Sequence, residues 1–161
     1  MNNSFVKQIL TLSLVVLPFS GYTQECVDYY RVGDCTMDIT KSYKIYSQSK
    51  GFMMSPLDSL DINVVLYGQK DYIFSFCTHA KLYPIRFRFI DPETKQIIYD
   101  NISDDFIESV GIGFDITRNL TVRINLLARK ADESDIEDRI GCVGMLIQYK
   151  NYFAEKHRIQ M

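Results

Sequence analysis

Between Pro84 and Asp91 the chain reads Ile85, Arg86, Phe87, Arg88, Phe89, Ile90, an alternation of apolar and charged residues that only an extended strand can use. Successive strand side chains point to opposite faces, so this run has one face for a core and one for water. The same two-residue period recurs from Tyr43 onward, with turn residues about every ten positions. It marks eight segments, at 43–48, 60–67, 72–77, 85–89, 96–99, 106–114, 120–126 and 141–149. Turn chemistry at Gly68, Gln69, Lys70 and Asp71 predicts a hairpin between 60–67 and 72–77, and Asp91 with Pro92 predicts one between 85–89 and 96–99. Arg118 and Asn119 similarly predict a hairpin joining 106–114 to 120–126. Eight strands with short connections imply an all-β fold, an antiparallel, jelly-roll-like β-sandwich. No helical stretch of comparable length competes, and there is no internal repeat. Gly111 and Gly113 lie within a strand pattern and read as a bulge or a relief of crowding, not as a phosphate cradle.

The N-terminus reads differently. Lys7 precedes an apolar run from Ile9 to Leu17, followed by Pro18, Ser20, Gly21 and Thr23, the order of a secretory signal peptide with cleavage before Gln24. The apolar run is too short to span a bilayer, which favours cleavage over an uncleaved anchor. Three regions are expected: a signal peptide at 1–23, a β-sandwich domain at 24–150 and a flexible tail at 151–161. Removing 23 residues from 161 leaves 138, and the loss of Lys7 moves the formal charge from −2 to −3. A chain of that length supports a hydrophobic core of its own. With 47% apolar and 24% charged residues it is neither disordered nor basic enough to favour nucleic acid. The dense charges at 129–139 read as a solvated loop.

All four cysteines, Cys26, Cys35, Cys77 and Cys142, follow the expected cleavage site, and an even count in an oxidising compartment predicts disulfides. Spacing favours Cys26 with Cys35 across a small loop, and Cys77 with Cys142 between two distant strands. The rival is a metal site built from Cys77, His79 and Cys142, which lacks a fourth ligand; no metal is expected.

Four stretches carry a resemblance: Gln48, Ser49 and Lys50; the turn from Tyr67 to Tyr72; Ile98, Tyr99, Asp100 and Asn101; and the closing Gly141, Cys142, Val143, Gly144, Met145, Leu146 and Ile147. Together they resemble a group of exported β-sandwich proteins from Bacteroidota with no known activity. The resemblance spans Cys26 to Tyr149 and implies a periplasmic or extracellular location. More distantly, the aromatic strand followed by an Asp-Pro hairpin is similar to β-sandwich modules appended to secreted peptidases.

Searching for chemistry turns up little. His79 and His157 stand outside any nucleophile motif, so neither is expected to act as a base, and no catalytic residue is assigned. Asp132, Glu133, Asp135, Glu137 and Asp138 have Arg129, Lys130 and Arg139 beside them and lack the glycine of a calcium loop. Asp104 and Asp105 read as a turn. Arg86, Arg88 and Arg123 project outward if their apolar neighbours face the core, forming a basic stripe for an acidic partner or an anionic glycan. The plainer reading pairs them with acidic residues such as Glu108. Tyr29, Tyr30 and Tyr152 offer rings for stacking. Asn101 and Asn119 match the N-glycosylation pattern, and Ser59 lies in a short O-glycosylation-like triplet. The function expected from these readings is that of a non-enzymatic binding or assembly module of a bacterial cell envelope. It would need no cofactor and would have another envelope protein or a surface glycan as partner. A carbohydrate-binding module using the arginines and tyrosines, or a hydrolase with an unrecognised site, are the alternatives.

Overall fold

The computed structural model describes residues 26–33, 35–38, 43–56, 58–127 and 140–151. The expected signal peptide and its cleavage site, the charged loop at 129–139, and the tail with Tyr152 and His157 lie outside the described residues.

The described strands are β1 (Lys44–Ile45), β2 (Lys50–Met54), β3 (Ser59–Leu66), β4 (Lys70–Thr78), β5 (Ile85–Ile90), β6 (Ile97–Asp100), β7 (Ser109–Phe114), β8 (Arg118–Leu126) and β9 (Gly141–Asn151). All eight expected segments are present. The first is shorter than expected, because Ser47 and Gln48 form a turn, and β9 runs to Asn151. The additional strand is β2, whose consecutive Phe52, Met53 and Met54 hide the period of two.

One sheet has the order β1-β9-β4-β7, with β2 also paired to β9, and the other has the order β3-β8-β5-β6; every pairing is antiparallel. From β2 to β9 the chain alternates between the sheets except at β5–β6. This is the strand order of a jelly roll, as expected. Of the three anticipated hairpins, only β5–β6 exists. There Asp91 accepts from the amides of Glu93 and Thr94 at 2.8 and 2.9 Å, closing the turn. The connections β3–β4 and β7–β8 cross between sheets instead. These two corners rest on each other, with the Gln69 amide donating to the Phe114 carbonyl at 2.7 Å and the Gly68 amide to Thr117 Oγ1 at 3.2 Å. Alternation dictates which side of a strand meets the core, and both arrangements satisfy it equally.

The core lies between the sheets. Phe74 and Phe76 of β4 meet Phe89 and Phe87 of β5, with ring centroids 4.8 and 4.1 Å apart. All four rings are buried, together with Val122, Ile124, Met145 and Ile147. Their interdigitation across two sheets is the main source of stability.

The outer face of the β4–β9 sheet is also covered. Residues 26–33 and 35–38 form a strap over it that contains a single helical turn, α1 (Tyr29–Val32). Disulfides join Cys26 to Cys142 on β9 and Cys35 to Cys77 on β4. This corrects the pairing expected from spacing. In the β4–β9 register Cys77 stands opposite Gly144, which leaves Cys142 two residues along the same outward face. Both strand cysteines therefore reach up to the strap, and α1 separates Cys26 from Cys35. The zinc alternative falls with the same observation, since both sulfurs it needs are oxidised.

Glycine lets the strap lie so close. Gly51 and Gly144 face each other across β2 and β9. A methyl group on Gly144 would sit 2.7 Å from Cys77 Sγ and 2.9 Å from the Tyr30 Cα, while one on Gly51 would overlap the Cys26 carbonyl. At the far end the strap is stitched to Gln148, whose Oε1 accepts from the Asp38 amide at 2.9 Å and whose Nε2 donates to the Asp38 carbonyl at 3.2 Å. Ser75, Cys77, Leu146 and Gln148 on this outer face are all buried.

Candidate functional site

The opposite outer face, formed by β3, β8, β5 and β6, carries the three predicted arginines. Strand register sets them in a row, with Asp61 opposite Arg123, Arg123 opposite Arg88, and Arg88 opposite Asp100. Arg86 lies one pleat away on the same side of β5 and is paired in register with Asn125.

The three guanidinium groups are not equivalent. Arg123 makes a two-pronged contact with Asp61, both N–H···O distances being 2.6 Å. Arg86 does the same with Asp100, at 3.1 Å from Nε and 2.6 Å from Nη2. Arg88 has no carboxylate partner among the described residues. Its Nη2 donates to Asn125 Oδ1 at 2.8 Å, and its buried Nε donates to nothing. The partners are thus Asp61 and Asp100, not the Glu108 that the plainer sequence reading offered. Glu108 lies ahead of β7 in the other sheet, near the Tyr83 hydroxyl.

The electrostatics follow this geometry. The guanidinium hydrogen bonds hold the Asp61 and Asp100 carboxyls below their usual range. The same bonds raise Arg86 and Arg123, whereas Arg88 is lowered, first by burial and then by the charges of Arg86 and Arg123. Like charges directly opposite on neighbouring strands cost stability. Because both carboxyls are depressed in the folded state, their ion pairs contribute fully above the unfolded value of about 3.9 and are lost as pH falls through the folded values. Thermal melts should therefore be flat near neutrality and drop below about pH 4, and Asp100→Asn should remove part of that drop. Solvent screens both pairs, so each contributes no more than about 1 kcal/mol.

The other candidates from the sequence fall elsewhere. His79 is exposed just after β4, its ring 5.6 Å from that of Tyr29. Within the strap Tyr30 is buried and Tyr29 half-buried, so these tyrosines and the arginines occupy opposite sides of the sandwich. The acidic residues from Asp132 to Asp138 lie outside the described residues. Asp104 accepts from the Tyr99 hydroxyl at 2.7 Å, within the turn after β6. A shallow groove of about 220 Å³ between residues 91–93 and 116–119 includes Asp91, whose carboxylate already holds its own turn.

Asn101, which matches the N-glycosylation pattern, is completely buried. Its Nδ2 donates to the carbonyls of Ile85 and Ile107 at 3.0 and 3.1 Å, and its Oδ1 accepts from the Phe87 amide at 2.9 Å. With both amide hydrogens engaged, it is a structural pin in the folded protein. Asn119 and Ser59 are exposed. Sequence reading missed the Asn101 pin, since the Asn-Ile-Ser triplet drew attention to its surface chemistry.

No protein-family model matches the sequence, and no curated protein matches it. Among solved structures, the chain is similar to PliG from Aeromonas hydrophila, a periplasmic lysozyme inhibitor of g-type lysozyme. The TM-score is 0.42 at 8% sequence identity, over 71% of this chain and 91% of that one.

Proposed function

We propose that the chain is an exported module of a bacterial cell envelope that acts by binding or assembly rather than by turnover, with the β3–β8–β5–β6 face as its contact surface. The observation that carries this reading is the asymmetry of the sandwich. One outer face is closed by a strap held by two disulfides, while the other presents Arg86, Arg88 and Arg123 from rigid strands. Groups fixed on strands bind with little loss of side-chain and backbone freedom. Disulfides persist in oxidising compartments, which agrees with the secretory N-terminus and with the resemblance to exported proteins of Bacteroidota. Another envelope protein is a better partner than a surface glycan, because Tyr29 and Tyr30 lie on the strap side and supply no rings beside the arginines.

Site-specific crosslinking tests this reading. A photoreactive residue at Asn63, on the outer side of β3, should trap a discrete envelope protein, whereas one at Lys44 in the other sheet should trap none. Equal trapping from both positions, or from neither, would contradict it.

A further inference from the structure

Resting on the reading of this face as a contact surface, we propose that Arg88 is its anchoring residue and takes the carboxylate of an aspartate or glutamate side chain from a protein partner. Arg86 and Arg123 are each committed to a carboxylate of their own chain through paired hydrogen bonds. Arg88 stands between them with one hydrogen bond, to the neutral amide oxygen of Asn125. Its Nε is buried without a partner, so swinging the guanidinium toward an incoming carboxylate sacrifices nothing at that atom. Among the described residues, the two carboxylates of this row are paired with Arg86 and Arg123, and Arg88 is the guanidinium left without one.

The surroundings favour a peptide carboxylate over a sugar acid. Tyr29 and Tyr30, rings that could stack on a sugar, lie on the strap side, while Asn63, Thr121 and Asn125 stand on the outer side of β3 and β8 as short hydrogen-bonding groups around the anchor. Thr121 Oγ1 already donates to Asn63 Oδ1 at 2.9 Å, so these groups are held in place. A guanidinium paired with a carboxylate forms charge-assisted bonds stronger than the one Arg88 makes now.

The row also implies a gate on Arg88. Asp100 faces Arg88 in register but is occupied by Arg86. Removing Arg86 frees Asp100 to capture Arg88 and should silence the anchor. Removing Asp100 releases Arg86 as a second anchor.

The test is titration of the disulfide-bonded protein with a hexaglutamate peptide at low salt, read from the arginine Nε–Hε NMR signals. Binding should shift the Arg88 signal, and Arg88→Gln should weaken binding by about tenfold, the loss expected for one charge-assisted pair. Lys50→Gln, an equal charge change on the other sheet, should weaken it by less than about twofold. Arg86→Gln should also weaken binding, and Arg86→Gln with Asp100→Asn should restore it. Asp100→Asn alone should strengthen it, which keeps the proposal testable if Arg86→Gln does not fold. Equal losses in Arg88→Gln and Lys50→Gln, or no rescue by the second substitution, would overturn the proposal. Tighter binding of an oligogalacturonate by the same residues would overturn the choice of a protein partner. Crosslinking from Asn63 that survives Arg88→Gln would sink the anchor while leaving the contact surface intact.

Discussion

Replacing Cys26 and Cys142 together by alanine should lower stability by about 3 to 5 kcal/mol and the melting midpoint by about 10 to 20 °C. This bond links positions 116 residues apart, and closing so long a loop removes much of the freedom of the unfolded chain. The Cys35–Cys77 bond spans 42 residues and should contribute slightly less, about 4 kcal/mol before native-state strain is subtracted. Breaking either pair leaves the strap tethered by the other, so the losses should not add. Single substitutions of Cys35 and Cys77 should have similar effects, since each leaves its partner without a bond. A midpoint change of only a few degrees in the Cys26→Ala, Cys142→Ala double variant, measured by calorimetry, would contradict the strap's role.

Asn101→Ala should be nearly as damaging, at about 3 to 5 kcal/mol. The substitution leaves the Phe87 amide and the Ile85 and Ile107 carbonyls without the partner they now have in a fully buried site. Each unsatisfied group costs about 1 to 3 kcal/mol, and water entering the vacated space recovers part of that. The segment after β6 should loosen first, because the Asn101 carbonyl also accepts from the Phe106 amide at 2.9 Å and Asp105 and Phe106 both hold positive φ there. Urea unfolding of Asn101→Ala checks the magnitude, and a loss below about 1 kcal/mol would show that the pin is not structural.

Face assignment is the part of this fold most legible in the sequence. Arg86, Arg88 and Arg123 point outward and Phe87, Phe89, Val122 and Ile124 point inward, as a period of two requires. Strand partnership is less legible. Gly68 and Gln69 have turn chemistry that serves a hairpin or a crossing between sheets equally well, and only the packing of Gly68 against the β7–β8 corner separates the two. The cysteine pairing depends on register, and register is cooperative: Cys77 meets Gly144 only once all of β4 has aligned with β9. The carboxylates that neutralise Arg123 and Arg86 are hidden for the same reason. Asp61 lies 62 residues from Arg123 in the chain, and Asp100 lies 14 from Arg86. The strap escaped notice because α1 has four residues, too few for a helical period to register.

Everything assigned to the arginine face assumes that the other outer face is closed, and the disulfide bonds decide whether it is. Peptide mapping of the purified protein under nonreducing conditions should recover a Cys26–Cys142 link and a Cys35–Cys77 link, and no others. A Cys26–Cys35 link together with Cys77–Cys142 would leave the strap untethered and the β4–β9 face open, and the division of the sandwich into a closed side and a working side would not stand.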